Sequence, residues 1–268
     1  MRMEKAQDRV RAAAALLALA TVALFAGCGE QFSTIVVTAQ VAKTLDPESN
    51  TASILVGKAT VENIARDDWM QTPAPGDTTF GPGDFPAKVE QLDNATVNLN
   101  SENLPKRIPG VYFKAGLALA YLQRYDLDIT TQDGKHVTAH AYLPDSFSIA
   151  SPQDGDSVRY GTDTLRAAWT SSESCETYIV GVNPADSGST AQGWSNSLTD
   201  TFCTVPASAF QDSSGNLVPG QYVFGVTAVN GGWNKSGLDL LLSTGNVDGA
   251  VGVFGCAVYP RPATISVR

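Results

Sequence analysis

The sequence predicts an all-β protein, with two tandem β-sandwich domains behind an N-terminal leader. After residue 28, apolar residues rarely recur at the spacing of a helix. They alternate with polar residues over short segments that Gly, Pro, Asn and Asp separate. This alternation is typical of strands that bury one face, and the frequent turn residues are typical of sandwiches. The roughly 240 residues after the leader are enough for two ordinary domains.

Residues 1–27 predict an export signal. Basic residues come first, and small and apolar residues follow from Ala12 to Phe25, interrupted only by Thr21. This apolar run is shorter than the ~20 residues that a membrane-spanning helix needs, and its length is typical of a signal peptide. No later segment of the sequence approaches the length of a transmembrane span.

The apolar run ends in the motif FAGC at residues 25–28, which resembles the lipobox of bacterial lipoproteins. In that family the cysteine is acylated and becomes the N-terminus of the mature protein. The resemblance therefore implies a lipid anchor at Cys28 and a tether over residues 28–34, although the usual leucine lies one position early, at Leu24. A plain secretory signal with an incidental cysteine is the alternative.

Gly29 occupies the second position of the mature chain, where aspartate would favour retention in the inner membrane of a Gram-negative cell. The resemblance thus implies attachment to the outer membrane, with the domains facing the periplasm or the cell surface. The leader carries four basic and two acidic residues, so its removal changes the net charge from −9 to −11. An acidic surface does not suit nucleic acid or anionic lipid, and membrane attachment would depend on the lipid anchor.

The first predicted domain covers residues 35–144, with candidate strands at 35–43, 53–64, 87–99, 110–119, 123–131 and 135–143. Its motifs are Ala95-x-Val97-x-Leu99, Gly110-x-Tyr112, Tyr125-x-Leu127-x-Ile129 and the turn Asp133-Gly134. They resemble a transthyretin-like sandwich of the carboxypeptidase-regulatory type, which implies a β-sandwich here. The turn also predicts a hairpin by itself, because Asp-Gly suits a tight type I′ turn.

The second predicted domain covers residues 145–268. Its clearest pattern is LVPGQYVFGVTAVN at residues 217–230, in which aromatic and aliphatic residues alternate with others. The stretch resembles the E–F corner and F strand of fibronectin type III domains, which have an Ig-like sandwich. The resemblance implies that Tyr222 is the corner tyrosine, whose hydroxyl bonds to upstream backbone, and that Trp169 is the core tryptophan. Residues 231–250, before the final strands, form a longer connection than that family has.

The motif GAVGVFG at residues 249–255 precedes the last strand. Together with the order of the two domains, it looks like envelope lipoproteins of Gram-negative bacteria, some of which are associated with outer-membrane receptors. That family has no settled activity. We therefore expect a lipid-anchored extracytoplasmic accessory protein that binds an envelope protein partner through loops or a sheet edge and has no catalytic activity.

Three cysteines follow Cys28, and export to an oxidising compartment favours a disulfide. In a fibronectin-like arrangement Cys175 follows the strand of Trp169, and Cys203 opens the antiparallel neighbour. This placement implies a Cys175–Cys203 disulfide and leaves Cys256 as a buried thiol. Pairing of Cys256 with either of the other two is the alternative.

No motif predicts a catalytic residue, a metal or a cofactor. His136 and His140 are the only histidines, and side chains four residues apart on a strand lie roughly 13 Å apart, too far to bind one metal. The cysteines lack zinc spacing, and neither a G-x-S-x-G elbow nor a G-x-G-x-x-G loop is present. An enzyme whose site has no sequence signature is the alternative.

Aromatic residues give the one indication of a ligand. Trp69, Trp194 and Trp233 each lie in a segment rich in Gly, Ser or Pro. Tryptophan on an exposed loop can stack on a sugar or anchor a protein partner, so a carbohydrate-binding surface module is the alternative function. Each ring could instead fold back onto its own sandwich. The leucines of residues 238–242 similarly predict either an extra edge strand or an apolar docking patch.

Overall fold

A computed structural model describes residues 32–61, 87–159, 165–232 and 246–268. These residues form strands and two short 3₁₀ helices, Pro47–Ser49 and Ala207–Phe210, which confirms the predicted all-β class. Within the described ranges, no helix is long and apolar enough to cross a membrane. The strands are β1 Phe32–Lys43, β2 Thr51–Val61, β3 Ala87–Gln91, β4 Thr96–Leu99, β5 Glu102–Asn103, β6 Lys106–Ile108, β7 Val111–Ala115, β8 Arg124–Thr130, β9 His136–Tyr142, β10 Ile149–Ser151, β11 Ser157–Val158, β12 Arg166–Trp169, β13 Thr177–Pro184, β14 Trp194–Leu198, β15 Phe202–Thr204, β16 Gly220–Gly231, β17 Val247–Asp248, β18 Val251–Val258 and β19 Ala263–Val267.

The described strands form three sheets. An 11-stranded sheet has the order β11-β19-β16-β18-β1-β2-β7-β6, with β13 and β14 attached beside β16 and with β3 attached to β2. A five-stranded sheet, β17-β9-β8-β4-β5, packs on one half of it, and a three-stranded sheet, β10-β12-β15, packs on the other half. The result is two sandwiches, each with its own core, that share one large sheet.

The first core lies between the large sheet and the five-stranded sheet. Alternate residues of β1, including Val37 and Val41, are fully buried, as the period of a strand with one buried face requires. Leu127 and Ile129 of β8 face them from the opposite sheet. Gly134, at φ +78°, turns β8 into β9, so the predicted Asp-Gly hairpin is confirmed.

The second core lies between the large sheet and the three-stranded sheet. Trp169 is 4% exposed, and its ring meets that of Tyr178 edge-on at 5.5 Å. The Tyr222 hydroxyl donates to the Val218 carbonyl at 2.5 Å, so the predicted corner tyrosine is confirmed. The periodicity of residues 217–230 therefore marks a real strand whose alternate side chains fill this core.

The predicted domain boundaries need a correction at residues 246–258. Residues 246–258 do not belong to the second sandwich: β17 joins the five-stranded sheet, and β18 pairs in parallel with β1. Phe254, Cys256 and Val258 consequently lie in the first core. A parallel partner about 215 positions away leaves no local pattern in the sequence, so strand order alone gave the wrong assignment.

One strand joins the two sandwiches. The first part of β16, Gly220 to Phe224, pairs with β19 in the second sandwich. Its last part, Ala228 to Gly231, pairs with β18 in the first sandwich. Phe147 packs against both cores. The two sandwiches are therefore connected by a continuous hydrogen-bonded strand and share one large sheet.

Candidate functional site

Four large apolar side chains are exposed at the end of the first sandwich where β1 finishes. Leu45 is 64% exposed, and Tyr121, Leu122 and Tyr259 are between 37% and 39% exposed. With Lys43 they form what we call the tyrosine patch: Lys43, Leu45, Tyr121, Leu122 and Tyr259. Isolated exposed apolar residues are ordinary, but a group of them on a rigid frame is typical of an interaction surface.

Lys43 holds the three segments of the patch together. Its ammonium donates to the Leu119 carbonyl at 2.8 Å and lies 4.7 Å from the centre of the Tyr121 ring. Its own carbonyl accepts from the Tyr259 amide at 2.9 Å. A cation over an aromatic face is attractive, so the ring of Tyr121 is fixed from one side while its other side stays available.

Tyr259 is fixed at both ends. Its backbone amide is bound by Lys43, and its hydroxyl accepts from the Gln40 side chain at 3.0 Å. A tyrosine that is already held in place loses little conformational entropy when a partner covers it. The patch is therefore preorganised for binding.

Leu122 has a left-handed backbone conformation, at φ +59°. This conformation is common for glycine and unusual for a bulky residue such as leucine. Two hydrogen bonds maintain it: the Leu122 amide donates to the Leu143 carbonyl at 2.8 Å, and the Leu143 amide donates to the Gln123 carbonyl at 2.9 Å. Strained backbone of this kind clusters at sites of function, because the surrounding structure must hold it there.

The composition of the patch is that of a protein-binding hot spot. Tyrosine is enriched among the residues that dominate binding energies, and they cluster with other apolar groups that exclude water. The patch contains two tyrosines and two leucines, which together supply a small apolar centre. Asp46 and Glu48 follow Leu45 in the sequence, at the start of the first 3₁₀ helix.

The tryptophans predicted to contact a ligand are not brought together among the described residues. Trp194 begins β14 opposite Val182, is half-buried and packs against the second core, so it caps its own sandwich. Trp69 and Trp233 lie outside the described residues, as do Cys28 and the leucines of residues 238–242.

The predicted Cys175–Cys203 disulfide is not formed, since both residues are free thiols in the structure. Cys203 lies opposite Ala167, in the middle of β12 rather than at its end. Cys175 lies just before β13 of the other sheet, where its thiol donates to the Thr177 carbonyl at 3.3 Å. Cys256 is free and fully buried, and burial raises the pKa of its thiol.

The histidines lie on the outer face of the five-stranded sheet. His136 Nε2 is 2.6 Å from Asp128 Oδ2 on the neighbouring strand. Among the described residues, no hydroxyl or thiol hydrogen-bonds to that ring, so the pair lacks the nucleophile of a hydrolase triad. No group of three or more His, Cys, Asp or Glu residues in the described part of the chain is arranged to hold a metal.

No motif in the sequence directly indicates the tyrosine patch. Leu45 lies in the segment TLDP and Tyr259 in the segment YPRP, so both are large apolar residues beside turn-forming residues. Such placement is a weak signal of exposure. Their meeting with Tyr121 could not be predicted, because it depends on the pairing of β1 with β18.

No protein family matches the sequence, and no curated protein is similar to it. Among solved structures, the chain is similar to the fibronectin(III)-like modules of Clostridium thermocellum CbhA, with a TM-score of 0.26 and 9% identity over 88% of this chain and 93% of that chain. It is also similar to DIP-gamma IG1+IG2, with a TM-score of 0.21 and 10% identity over 88% of this chain and 97% of that chain. The transthyretin-like and lipoprotein interpretations stay predictions.

Proposed function

We propose that the protein is a lipid-anchored, extracytoplasmic accessory protein that recognises a protein partner at the bacterial cell envelope and has no catalytic activity. The observation that carries this proposal is the tyrosine patch, a preorganised group of exposed apolar side chains around Lys43. Covering Leu45 alone, which is 64% exposed, would contribute on the order of 1 kcal/mol to binding.

The position of the patch suits a protein anchored at Cys28. The proposed attachment point, Cys28, precedes β1 in the sequence, β1 begins at Phe32, and the patch lies where β1 ends, at Lys43. A strand of 12 residues spans about 36 Å from its first to its last residue. An anchor at the start of this strand would leave the patch facing away from the membrane, within reach of another envelope protein.

A glycan-binding role for the loop tryptophans finds no support in the described part of the chain. Trp194 uses its ring to pack against the second core, and this leaves less of it available to stack on a sugar.

Crosslinking in cells tests the partner. A photo-crosslinking amino acid in place of Tyr121 is expected to give one defined adduct with another envelope protein. The same group in place of Phe202 is the matched control, because Phe202 is 65% exposed and lies on the second sandwich. Leu45→Ser and Tyr259→Ser should weaken binding of the identified partner about 30-fold each, as hot-spot substitutions do. Equal adducts at both positions, or no adduct at position 121, would contradict the proposal.

The anchor has its own test. The wild-type protein should gain the mass of a lipidated cysteine and fractionate with the membrane, and Cys28→Ser should do neither. If both forms are soluble and neither gains the mass of a lipid, the predicted lipid anchor is wrong. This conclusion would not depend on the crosslinking result.

A further inference from the structure

A polar cleft of about 660 Å³ lies on the outer face of the five-stranded sheet, apart from the residues of the tyrosine patch. Side chains from β4, β8 and the turns beside them form it. They are Asn98, Asn100, Ser101, Gln123, Arg124, Asp126 and Asp128. Every one of them is polar, which is unusual for a small-molecule site, because those are mostly apolar. A ligand of this cleft must itself be polar over most of its surface.

The two asparagines of the cleft are held through their carbonyl oxygens. Asn98 Oδ1 accepts from Asn103 Nδ2 at 3.3 Å, and Asn100 Oδ1 accepts from the Asp126 amide at 2.8 Å. Among the described residues, neither side-chain NH₂ group has a hydrogen-bond partner. Both asparagines therefore offer fixed donors to a ligand.

Gln123 is also held through the oxygen of its side-chain amide. Its Oε1 accepts from the Tyr125 hydroxyl at 3.3 Å, and its NH₂ group has no partner within the described ranges. The Tyr125 hydroxyl is itself fixed, because it accepts from the Ala120 amide at 2.9 Å. The cleft thus contains three amide groups with their oxygens bound and their donors available.

The carboxylates supply acceptors between these donors. Arg124 Nε donates to Asp126 Oδ1 at 2.8 Å, and Nη2 forms an ion pair with the same oxygen at 2.6 Å. His136 contacts only Oδ2 of Asp128. In the described part of the chain, the second oxygen of each carboxylate has no partner. Each acidic group therefore keeps one acceptor for a ligand.

The mixture of groups excludes simple ions. A cation would face the guanidinium of Arg124 and three amide NH₂ groups, and an anion would face Asp126 and Asp128. Hydroxyl groups suit the cleft, because each can donate to a carboxylate and accept from an amide at the same time. A neutral ligand with several hydroxyl groups meets this requirement best.

The backbone beside the cleft makes a tight hairpin turn. Asn100 and Ser101 have φ values of +48° and +66° and form the two-residue loop between β4 and β5. A two-residue hairpin turn of this type requires positive φ at both positions. It fixes Asn100 in the orientation that its bond to the Asp126 amide requires.

We propose that this cleft binds a neutral carbohydrate chain. Tyr142, which is 42% exposed, lies directly across from Arg124 in the register of β8 and β9 and provides an aromatic face beside the polar groups. The amides and carboxylates of the cleft bind the hydroxyl groups of the sugar. This site shares no residue with the tyrosine patch, although the two adjoin where Gln123 follows Leu122.

Calorimetry with the full chain in detergent tests the proposal. The probes are cellotetraose, maltotetraose, xylotetraose, mannotetraose and chitotetraose, with inorganic phosphate and calcium chloride as ionic comparisons. At least one neutral tetrasaccharide is expected to bind, and the two ionic probes are not. Binding of none of the five sugars, or displacement of a bound sugar by phosphate or calcium, overturns the proposal.

Near-isosteric variants test whether the sugar binds in this cleft. Asn98→Asp and Gln123→Glu keep the bound oxygen and replace the free NH₂ donor with an acceptor, so each should weaken the affinity about tenfold. Asn196→Asp, at an exposed amide on β14, is the matched control and should leave the affinity unchanged. If the cleft variants bind as well as the wild type, the assignment to this cleft is wrong. Tyr259→Ser should keep the sugar affinity, so this test and that of the partner surface can fail independently.

Discussion

The two sandwiches differ in how far apart their strands lie along the sequence. The second core is filled mainly by one stretch, residues 147–229, with β19 added from the C-terminus. The first core combines β1 and β2, from the start of the described chain, with β18 from near its end. Contacts between distant parts of a chain must wait for large loops to close, so the first sandwich depends more on the completed fold.

The two sandwiches also differ in whether they contain a proposed binding site. The tyrosine patch and the polar cleft both belong to the first sandwich. The patch requires β1 and β18 to end side by side, so the long-range pairing that closes the first core also assembles this surface. The second sandwich contributes the shared sheet and supports the first through β16.

The largest expected effect comes from ending the chain after Pro144, at the predicted domain boundary. This fragment lacks β17 and β18, so its core loses Phe254, Cys256 and Val258 and β1 is left without a partner on one side. We expect it to remain unfolded or to aggregate, as seen by circular dichroism and by NMR spectra of its amides. A folded monomer of this length would show that the first sandwich is independent after all.

The second prediction concerns the contact of β18 with β1. A Cβ atom on Gly252, which has φ +148°, would lie 1.8 Å from the Val37 carbonyl oxygen. Gly252→Ala should lower the free energy of unfolding by about 2–5 kcal/mol, through overpacking and backbone strain. Gly225→Ala is the matched control, because no atom lies within 4 Å of the added carbon there, and it should change stability far less. Equal effects of the two variants in denaturant titrations would contradict the pairing.

The third prediction tests whether the sandwiches unfold together. Tyr222→Phe removes the corner hydrogen bond of the second sandwich, and Tyr125→Phe removes a hydroxyl that binds the Ala120 amide in the first. Each should lower the free energy of unfolding by about 1 kcal/mol. Because β16 links the two cores, both variants should shift one common transition, measured by calorimetry. Two separate transitions, each moved by one variant alone, would show that the cores are independent.

The smallest effect is on thiol reactivity and leaves stability unchanged. Cys175 and Cys203, beside the second core, are half-buried, whereas Cys256 in the first core is fully buried. Burial raises the pKa of all three thiols, so each reacts slowly, and Cys256 should react with a thiol reagent only after unfolding. The measurement is mass spectrometry of the labelled native protein with Cys28→Ser. Labelling of Cys256 at the rate of the other two would mean that the first core opens readily.

Comparison of the predicted motifs with the structure shows which structural features local sequence determines. The alternation around Tyr222 predicted a strand, the resemblance to fibronectin type III domains implied its corner hydrogen bond, and Asp133-Gly134 predicted a hairpin. All three are present. The alternation of a strand and the residue preferences of a turn depend on only a few neighbouring residues. Both can therefore be predicted without knowing which strands pair. The Cys175–Cys203 pairing was wrong because it required a register between β12 and β15 that no short segment specifies.

The sequence by itself determined that the chain is all-β, where most of its strands lie and which side chains of each strand are buried. The tertiary structure alone decided that β18 lies beside β1, that Lys43 meets Tyr121 and Tyr259, and that the amides of the cleft share one face. The physical reason is the range of the interactions. Backbone periodicity is a property of neighbouring residues, whereas the choice of a distant partner depends on the packing free energy of the whole core.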